Sequence, residues 1–257
     1  MRIHTLVAIG AVLAALGAAS LAQAAKPDDS QATREKGKQV YERTCLLCHG
    51  ADGKGDGPSG WFIGRYESPR PRDFTGGGYK FRSTPSGELP TDQDLFLMVT
   101  QGIPGHMPSY SVLSEEERWQ VIAYIKMFNQ SFGKETPTAL PLPNPPGPPS
   151  EAGIENGRKV YIKYGCQNCH GDNGYGDGKE ALDGNLKDTY GLSISPGDLT
   201  ERASLKGGSS AQAIYRSIMT GLNGTPMPSY ADTIGGNDKD VWDLVYYILS
   251  LSHERHW

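Results

Sequence analysis

The sequence predicts an all-α fold in which two similar helical domains follow one another and are joined by a proline-rich linker. Apolar residues recur at helical spacing, and no alternating strand pattern of useful length is present. A series of landmarks occurs twice in the same order, and a proline-rich run separates the two copies. The 257 residues are only 37% hydrophobic and include 33 glycines and 18 prolines, which predicts many loops around small cores.

Residues 1–24 are predicted to be a secretory signal peptide. Arg2 and His4 precede an apolar run that ends at Ala22-Gln23-Ala24, and small residues two positions apart are typical of a cleavage site. The alternative is an uncleaved anchor, since the run is nearly long enough to span a bilayer. We expect membrane association only in that case. Cleavage after Ala24 predicts a periplasmic protein, in a compartment that permits cysteine oxidation.

The repeated landmarks predict two homologous domains, because they keep their order while their offset drifts by a few residues. We expect the first domain at residues 30–132, a linker at 133–150 and the second domain at 151–257. Seven prolines between Thr136 and Ser150 favour an extended, semi-rigid linker. The paired landmarks are Gly37–Tyr41 with Gly157–Tyr161, Cys45–Gly50 with Cys166–Gly171, Asp73–Thr75 with Asp198–Thr200, Met107–Tyr110 with Met227–Tyr230, and Trp119 and Tyr124 with Trp242 and Tyr247.

Three helices are predicted in each half. The first leads into the first cysteine, the second ends at a glycine, and the third begins at a capping residue. In the first half these are 30–44, 92–101 with Thr91 or Asp92 as N-cap, and the helix opened by the capping box Ser114–Glu117. In the second half they are 152–164, about 210–220, and the helix opened by Asn237 or Asp238.

Cysteine spacing gives the strongest chemical signal, because both halves contain the Cys-x-x-Cys-His sequence of c-type haem attachment. Residues i and i+3 lie on one face of a helical turn, so both sulfurs can reach the vinyl groups of one porphyrin, and the histidine lies on the same face. We therefore expect two covalently bound haem c groups. The attachment residues are Cys45, Cys48, Cys166 and Cys169, and the histidines that meet the iron are His49 and His170.

Disulfides, a four-cysteine zinc site and a thioredoxin-like redox pair are the alternatives to haem. Disulfides leave the histidine after each pair unexplained, and a thioredoxin-like pair needs a βαβ setting. A zinc site usually brings its two cysteine pairs within about 20 residues, whereas 117 residues separate Cys48 from Cys166 here. The spacing therefore favours haem.

With these motifs in place, both halves resemble class I cytochrome c domains, and the resemblance covers almost all of residues 30–130 and 152–252. It implies that the glycine of the first helix lets the last helix cross closely, with aromatic residues packed at the crossing. It also implies a methionine as the second axial ligand of each iron, a role that falls on Met107 and Met227.

Two features distinguish Met107 and Met227 from methionines that fill a core, which is the commoner role of this residue. Each precedes Pro-Ser-Tyr and follows a glycine-rich loop. His106 is a rival ligand, since imidazole binds iron well, but its counterpart in the second half is Pro226. The other internal methionines are predicted to be core residues: Met98, Met127 and Met219.

Two further patterns remain open. The aspartate- and glycine-rich loops that begin at Asp52 and Asp172 suggest calcium, but the closing glutamate of an EF-hand is absent, which favours flexible loops. A basic and aromatic cluster follows in the first half, and we hypothesise that some of its members pair with the propionates of the first haem; a solvated loop is the alternative. The cluster consists of Arg70, Arg72, Tyr79, Lys80 and Arg82.

An iron with histidine on one side and methionine on the other has no vacant position, so the resemblance implies transfer of single electrons. We expect an electron-transfer protein, either a free carrier or the cytochrome subunit of a redox complex. The rival is a di-haem enzyme, a peroxidase or sulfur-compound oxidase, with one labile axial ligand. Removing residues 1–24 leaves 24 basic against 29 acidic side chains. This balance disfavours nucleic acid as a partner and predicts docking of redox donor and acceptor proteins through their basic surfaces.

Overall fold

A computed structural model of the chain describes residues 26–60, 69–76 and 78–252. The predicted signal peptide at residues 1–24 lies outside these ranges. The described residues form helices and loops without a strand, and isolated antiparallel bridges join Ile103 to Met107 and Lys187 to Ser193. Among them, no helix combines the length and the apolar character needed to cross a bilayer. The all-α prediction is confirmed.

The described helices of the first half match the predicted ones closely. Ser30 caps the first of them, its Oγ accepting from the Thr33 amide at 3.2 Å. The helices are α1 (Gln31–Thr44), α2 (Leu46–His49), α3 (Asp92–Gln101) and α4 (Glu115–Lys126), followed by a 3-10 turn at Gln130–Gly133.

Among the helices whose bounds lie within the described residues, the second half repeats the four α-helices of the first half, with one additional short helix and with its 3-10 turn at a different place. Its helices are α5 (Glu151–Lys163), α6 (Gln167–His170), α7 (Lys179–Leu182), α8 (Ala211–Thr220) and α9 (Asp238–Ser250), with a 3-10 turn at Arg202–Ser204. Asn237 is the N-cap of α9, which decides between the two residues that the sequence offered.

Side-chain caps explain where the helices of the first half begin. The predicted capping box at Ser114 and Glu117 is present, each side chain bonding the backbone amide of the other residue. Thr91 is the N-cap of α3, and it forms a second capping box with Asp94 that the sequence analysis missed.

The first and last helices of each half cross at a glycine. A β-carbon at Gly37 of α1 would lie within 3.0 Å of the Gln120 carbonyl oxygen in α4, and one at Gly157 of α5 would meet Asp243 of α9 in the same way. Aromatic rings pack beside the first crossing, where Tyr41 and Tyr124 have centroids 5.3 Å apart. The crossing therefore depends on glycine, as the resemblance implies.

The proline-rich linker lies against both halves. The Leu140 amide donates to the Ser83 carbonyl at 2.8 Å in the first half. In the second half, the Tyr246 hydroxyl donates to the Gly147 carbonyl. The linker is thus held to each half by a hydrogen bond, one near its middle and one near its C-terminal end.

One core prediction is wrong. Met219 is buried and Met98 is half-buried, but Met127 is 54% exposed at the C-cap of α4. Met127 lies just beyond the last residue of α4, where the apolar face of the helix ends, so its side chain is left uncovered.

Candidate functional site

Each Cys-x-x-Cys-His motif folds into one helical turn. The His49 amide donates to the Cys45 carbonyl at 2.9 Å, and the His170 amide donates to that of Cys166 at 2.9 Å. None of the four cysteines forms a disulfide. The turn places two thiols and an imidazole on one side of the helix in each half, which is the arrangement that the spacing predicts.

A hydrogen bond from Nδ1 orients each histidine. His49 Nδ1 donates to the Arg72 carbonyl at 3.0 Å, and His170 Nδ1 donates to the Gly197 carbonyl at 3.1 Å. Burial lowers the pKa of both imidazoles below the ordinary value of 6.5, which favours the neutral ring. This arrangement is common for a metal-binding histidine, because the bond from Nδ1 leaves Nε2 available as the donor atom.

The glycine after each histidine starts a tight loop. Gly50 and Gly171 have φ angles of +77° and +79°, and a β-carbon at either position would collide with the carboxylate of Asp56 or Asp177. The hydroxyl of Tyr41 donates to the Gly50 carbonyl at 2.7 Å, which ties the loop to α1. Glycine is therefore required directly after each histidine, because the positive φ and the nearby aspartate leave no room for a β-carbon.

The loop that carries Met107 is closed by backbone hydrogen bonds. The Met107 amide donates to the Ile103 carbonyl at 2.9 Å, and the Ile103 amide donates back at 2.8 Å. Gly102 begins the loop with a φ of +70°, and a β-carbon there would meet the backbone of Met107 and Pro108. Glycine at this position therefore permits the turn that brings Met107 back beside α3.

The Pro-Ser-Tyr sequence after each methionine anchors this loop. Ser109 Oγ donates to the Thr100 carbonyl at 2.7 Å, and Ser229 Oγ donates to that of Met219 at 2.6 Å. In the first half the Tyr110 hydroxyl also donates to the Thr44 carbonyl at 2.8 Å. Thr44 directly precedes Cys45, so this bond connects the methionine loop to the cysteine motif.

A cavity of about 230 Å³ opens in the second half. Its wall contains all four candidate residues of this half: Cys166, Cys169, His170 and Met227. Apolar side chains such as Leu199, Ile214 and Ile218 line much of the rest. An apolar cavity with two thiols, an imidazole and a thioether in its wall has the donor set and the lining that a haem c requires.

His106 and Met107 differ in exposure in the first half. The side chain of His106 is exposed, whereas Met107 is half-buried at the bridge with Ile103.

The basic cluster of the first half divides between the two halves. Arg72 lies in the first half as expected, and its carbonyl accepts the hydrogen bond from His49 Nδ1. Lys80 lines the cavity of the second half, and Arg82 donates to the carbonyl of Thr220 in α8. The hypothesis that some members of this cluster pair with the propionates of the first haem is therefore narrowed to the remaining three, Arg70, Arg72 and Tyr79.

Two neighbours of the candidate sites were missed by the sequence analysis. Phe74 stacks on the His49 ring with centroids 4.4 Å apart and 19° between the planes. Lys206 lines the cavity of the second half beside Lys80. The landmark Asp73-Phe74-Thr75 marked the first of these positions without indicating its contact.

Two protein families match the chain, one in each half. The family described as cytochrome C oxidase, cbb3-type, subunit III matches residues 32–125. The family described as cytochrome c matches residues 154–252.

Two relatives are similar to the chain over different extents. A thiosulfate dehydrogenase of Allochromatium vinosum is 32% identical over 123 residues, which are 46% of this chain and 38% of the relative. The chain thus spans well under half the length of that curated relative. A solved chain of the reducing HAO-like protein complex of Kuenenia stuttgartiensis is 40% identical, with a TM-score of 0.77, and the match covers 85% of this chain and 96% of that one.

Proposed function

The chain belongs to the c-type cytochromes and carries two tandem cytochrome c domains, and from this premise we propose that it is a periplasmic di-haem carrier of single electrons. In this proposal Cys45, Cys48, Cys166 and Cys169 hold the two groups covalently, and the iron ligands are His49 with Met107 and His170 with Met227. The domains extend over residues 30–132 and 151–257, after a signal peptide at 1–24.

The observation that carries the proposal is the cavity of the second half. Cys166, Cys169, His170 and Met227 share its wall, and the Nδ1 bond of His170 leaves Nε2 as the donor atom. A haem c bound at such a site supplies one-electron exchange between ferrous and ferric iron. The protein's part is to hold both donor atoms in place and to keep water away from the cavity.

Hydrogen bonds around the proposed ligands restrict movement of the two methionine loops. Hydrogen bonds close the Met107 loop against the end of α3, and corresponding bonds fix the Met227 loop against α8. A thioether ligand favours the reduced metal and raises the reduction potential. Fixed ligands on both sides leave electron transfer as the chemistry that the geometry supports best.

Electrostatics suggest how redox partners dock. The full chain has 29 acidic and 25 basic residues, a formal net charge of −4. We propose that donor and acceptor proteins present basic surfaces to it and that their association weakens as salt is added. The match to one chain of an HAO-like protein complex is consistent with a partner protein.

A second candidate is a di-haem enzyme with one labile axial ligand, for example a sulfur-compound oxidase. The observation that favours it is the 32% identity to a thiosulfate dehydrogenase. Rapid binding of carbon monoxide to the reduced protein, together with oxidation of thiosulfate or turnover of peroxide, would support this candidate over the carrier.

A redox titration of the wild type beside Met107→Ala and Met227→Ala tests the proposal. Two one-electron transitions are expected in the wild type, and each substitution should lower the potential of one transition only. Unchanged potentials in either variant would remove that methionine from the ligand set.

A further inference from the structure

Arg82 is a residue of the first half that is buried against the second half. It has 0% exposure, and its Nη2 donates to the Thr220 carbonyl at 2.8 Å. Nε and Nη1 donate to the carbonyls of Pro85 and Tyr79 at 3.0 and 3.3 Å. A buried guanidinium is costly unless its donors have acceptors, so these carbonyls and Arg82 hold one another in place.

Thr220 is the last residue of α8 and directly precedes the loop that carries Met227. Carbonyls at the end of a helix lack an intrahelical partner and form the negative end of the helix dipole, so a cation is favourable there. Gly221 then turns the chain with a φ of +64°, and the Leu222 amide donates to the Met227 carbonyl at 3.1 Å. Arg82 thus fixes the base of the Met227 loop.

Other residues of the same segment reach the loop and the cavity. Ser86 Oγ donates to Asn223 Oδ1 at 3.1 Å, and Asn223 lies four residues before Met227. Phe81 lines the same cavity as Met227. The first half therefore contacts the methionine loop of the second half at more than one point.

This segment is longer in the first half than in the second. Eighteen positions lead from Asp73 to Thr91, the N-cap of α3, but twelve lead from Asp198 to Ser210, the N-cap of α8. The longer stretch holds Arg82 and Ser86. Its additional length is used for contacts between the halves.

The segment is also anchored within its own half. The amide and the hydroxyl of Ser83 both donate to Asp94 Oδ2, at 2.9 and 2.8 Å, and Asp94 lies in the first turn of α3. Arg82 directly precedes Ser83, so its guanidinium extends from a fixed backbone.

From these contacts we infer that Arg82 and Ser86 of the first domain are positioning residues for the second iron site, holding the Met227 loop closed over its cavity. The inference rests on the proposed role of Met227 as a ligand. Without the Arg82 contact, the fraction of molecules with Met227 detached should rise roughly tenfold, because a hydrogen bond from a charged donor contributes about that factor. The first iron site should be unaffected.

Proton NMR of the reduced, full-length holoprotein tests the inference. A methionine bound to haem iron gives an ε-methyl resonance far upfield of ordinary methyl groups, and the Met107→Ala and Met227→Ala variants assign the two signals. Arg82→Met should broaden or remove the Met227 signal and leave the Met107 signal in place. It should also raise the rate at which carbon monoxide binds one of the two centres.

Ser86→Ala and Arg158→Met complete the design. Ser86 is exposed, so its substitution leaves the core intact, and it should weaken the Met227 signal in the same direction as Arg82→Met. Arg158 is an exposed arginine of α5 that pairs with Glu155, and its substitution should change neither signal.

Two results would overturn the inference. One leaves the proposed function intact, and the other contradicts the proposed function as well. If the Met227 signal is unchanged in Ser86→Ala and in folded Arg82→Met, the positioning role is contradicted, and Met227 still stands as a ligand. If Arg82→Met does not fold, Ser86→Ala decides by itself. If Met227→Ala leaves both upfield signals in place, Met227 is not a ligand, and the proposed function is lost together with the inference.

Discussion

Gly37 of α1 touches the backbone of Gln120 in α4 so closely that residue 37 has no room for a β-carbon. Gly157 stands in the same relationship to Asp243 in the second half. In both halves the helix before the cysteine motif is therefore packed directly on the backbone of the last helix. The position of the cysteine motif depends on this contact.

Gly37→Ala and Gly157→Ala should each destabilise the half that contains it. The added methyl group meets backbone, which cannot rotate away, so the two helices must separate at a cost of about 1–3 kcal/mol or more. Chemical denaturation of the holoprotein measures this loss. Gly133→Ala is the control, because a β-carbon at residue 133 meets nothing within 4 Å. An equal effect of Gly37→Ala and Gly133→Ala would contradict the close crossing.

Tyr110→Phe should loosen the Met107 loop. The substitution removes the bond from the Tyr110 hydroxyl to the Thr44 carbonyl at 2.8 Å, with an expected loss of about 1 kcal/mol in unfolding free energy. The first iron site should also bind external ligands such as cyanide more readily than in the wild type, while the second site is unchanged. Tyr175→Phe is the matched control, since Tyr175 is 53% exposed. Identical behaviour of the two variants would count against an anchoring role for Tyr110.

Asp94→Ala should be among the most destabilising substitutions of a buried residue in the first half. Asp94 Oδ2 accepts from the amides and hydroxyls of both Ser83 and Thr91, at 2.8 to 2.9 Å, and the residue is buried. Removing the carboxylate leaves buried donors unsatisfied, with an expected cost of about 2–3 kcal/mol. Thermal or urea denaturation gives the value. Asp52→Ala, at a carboxylate that is 78% exposed, should cost less than about 0.5 kcal/mol; a similar cost for both would contradict the account.

Asp92 should make a pH-dependent contribution to stability. Partial burial raises the pKa of Asp92, but hydrogen bonds from Lys126, at 2.7 Å, and from Lys26 outweigh it and hold the pKa below the ordinary value of 3.8. A depressed carboxyl pKa stabilises the fold above the unfolded value, and this stabilisation is lost as the pH falls through the folded value. Asp92→Asn should therefore cost up to about 1 kcal/mol at neutral pH and nothing below the folded pKa. Unfolding measured from neutral to acidic pH checks this, and a constant difference would contradict it.

Local spacing was sufficient to predict the three long helices of each half and to nominate the residues of the candidate sites. Cys45, Cys48 and His49 lie within one helical turn, so their arrangement depends on neighbouring residues that the sequence displays directly. The Met107 and Met227 loops could be recognised because the same tetrapeptide occurs in both halves.

Contacts between distant residues could not be predicted in this way. Arg82 and Thr220 are 138 positions apart, and nothing in either segment marks the other as its partner. The hypothesis for the basic cluster therefore considered only the nearer haem, although Lys80 lines the other cavity. Met127 was assigned to the core because helical periodicity does not show where the covering element ends. The capping box of Thr91 was missed because its second member is Asp94 instead of a glutamate or glutamine.

Electron paramagnetic resonance of the oxidised holoprotein tests the ligand assignment most directly. Histidine on one side and methionine on the other should give two low-spin ferric centres in equal amounts, with signals that Met107→Ala and Met227→Ala remove one at a time. A high-spin signal from either centre of the wild type would mean a vacant or water-bound iron and would contradict the proposed carrier.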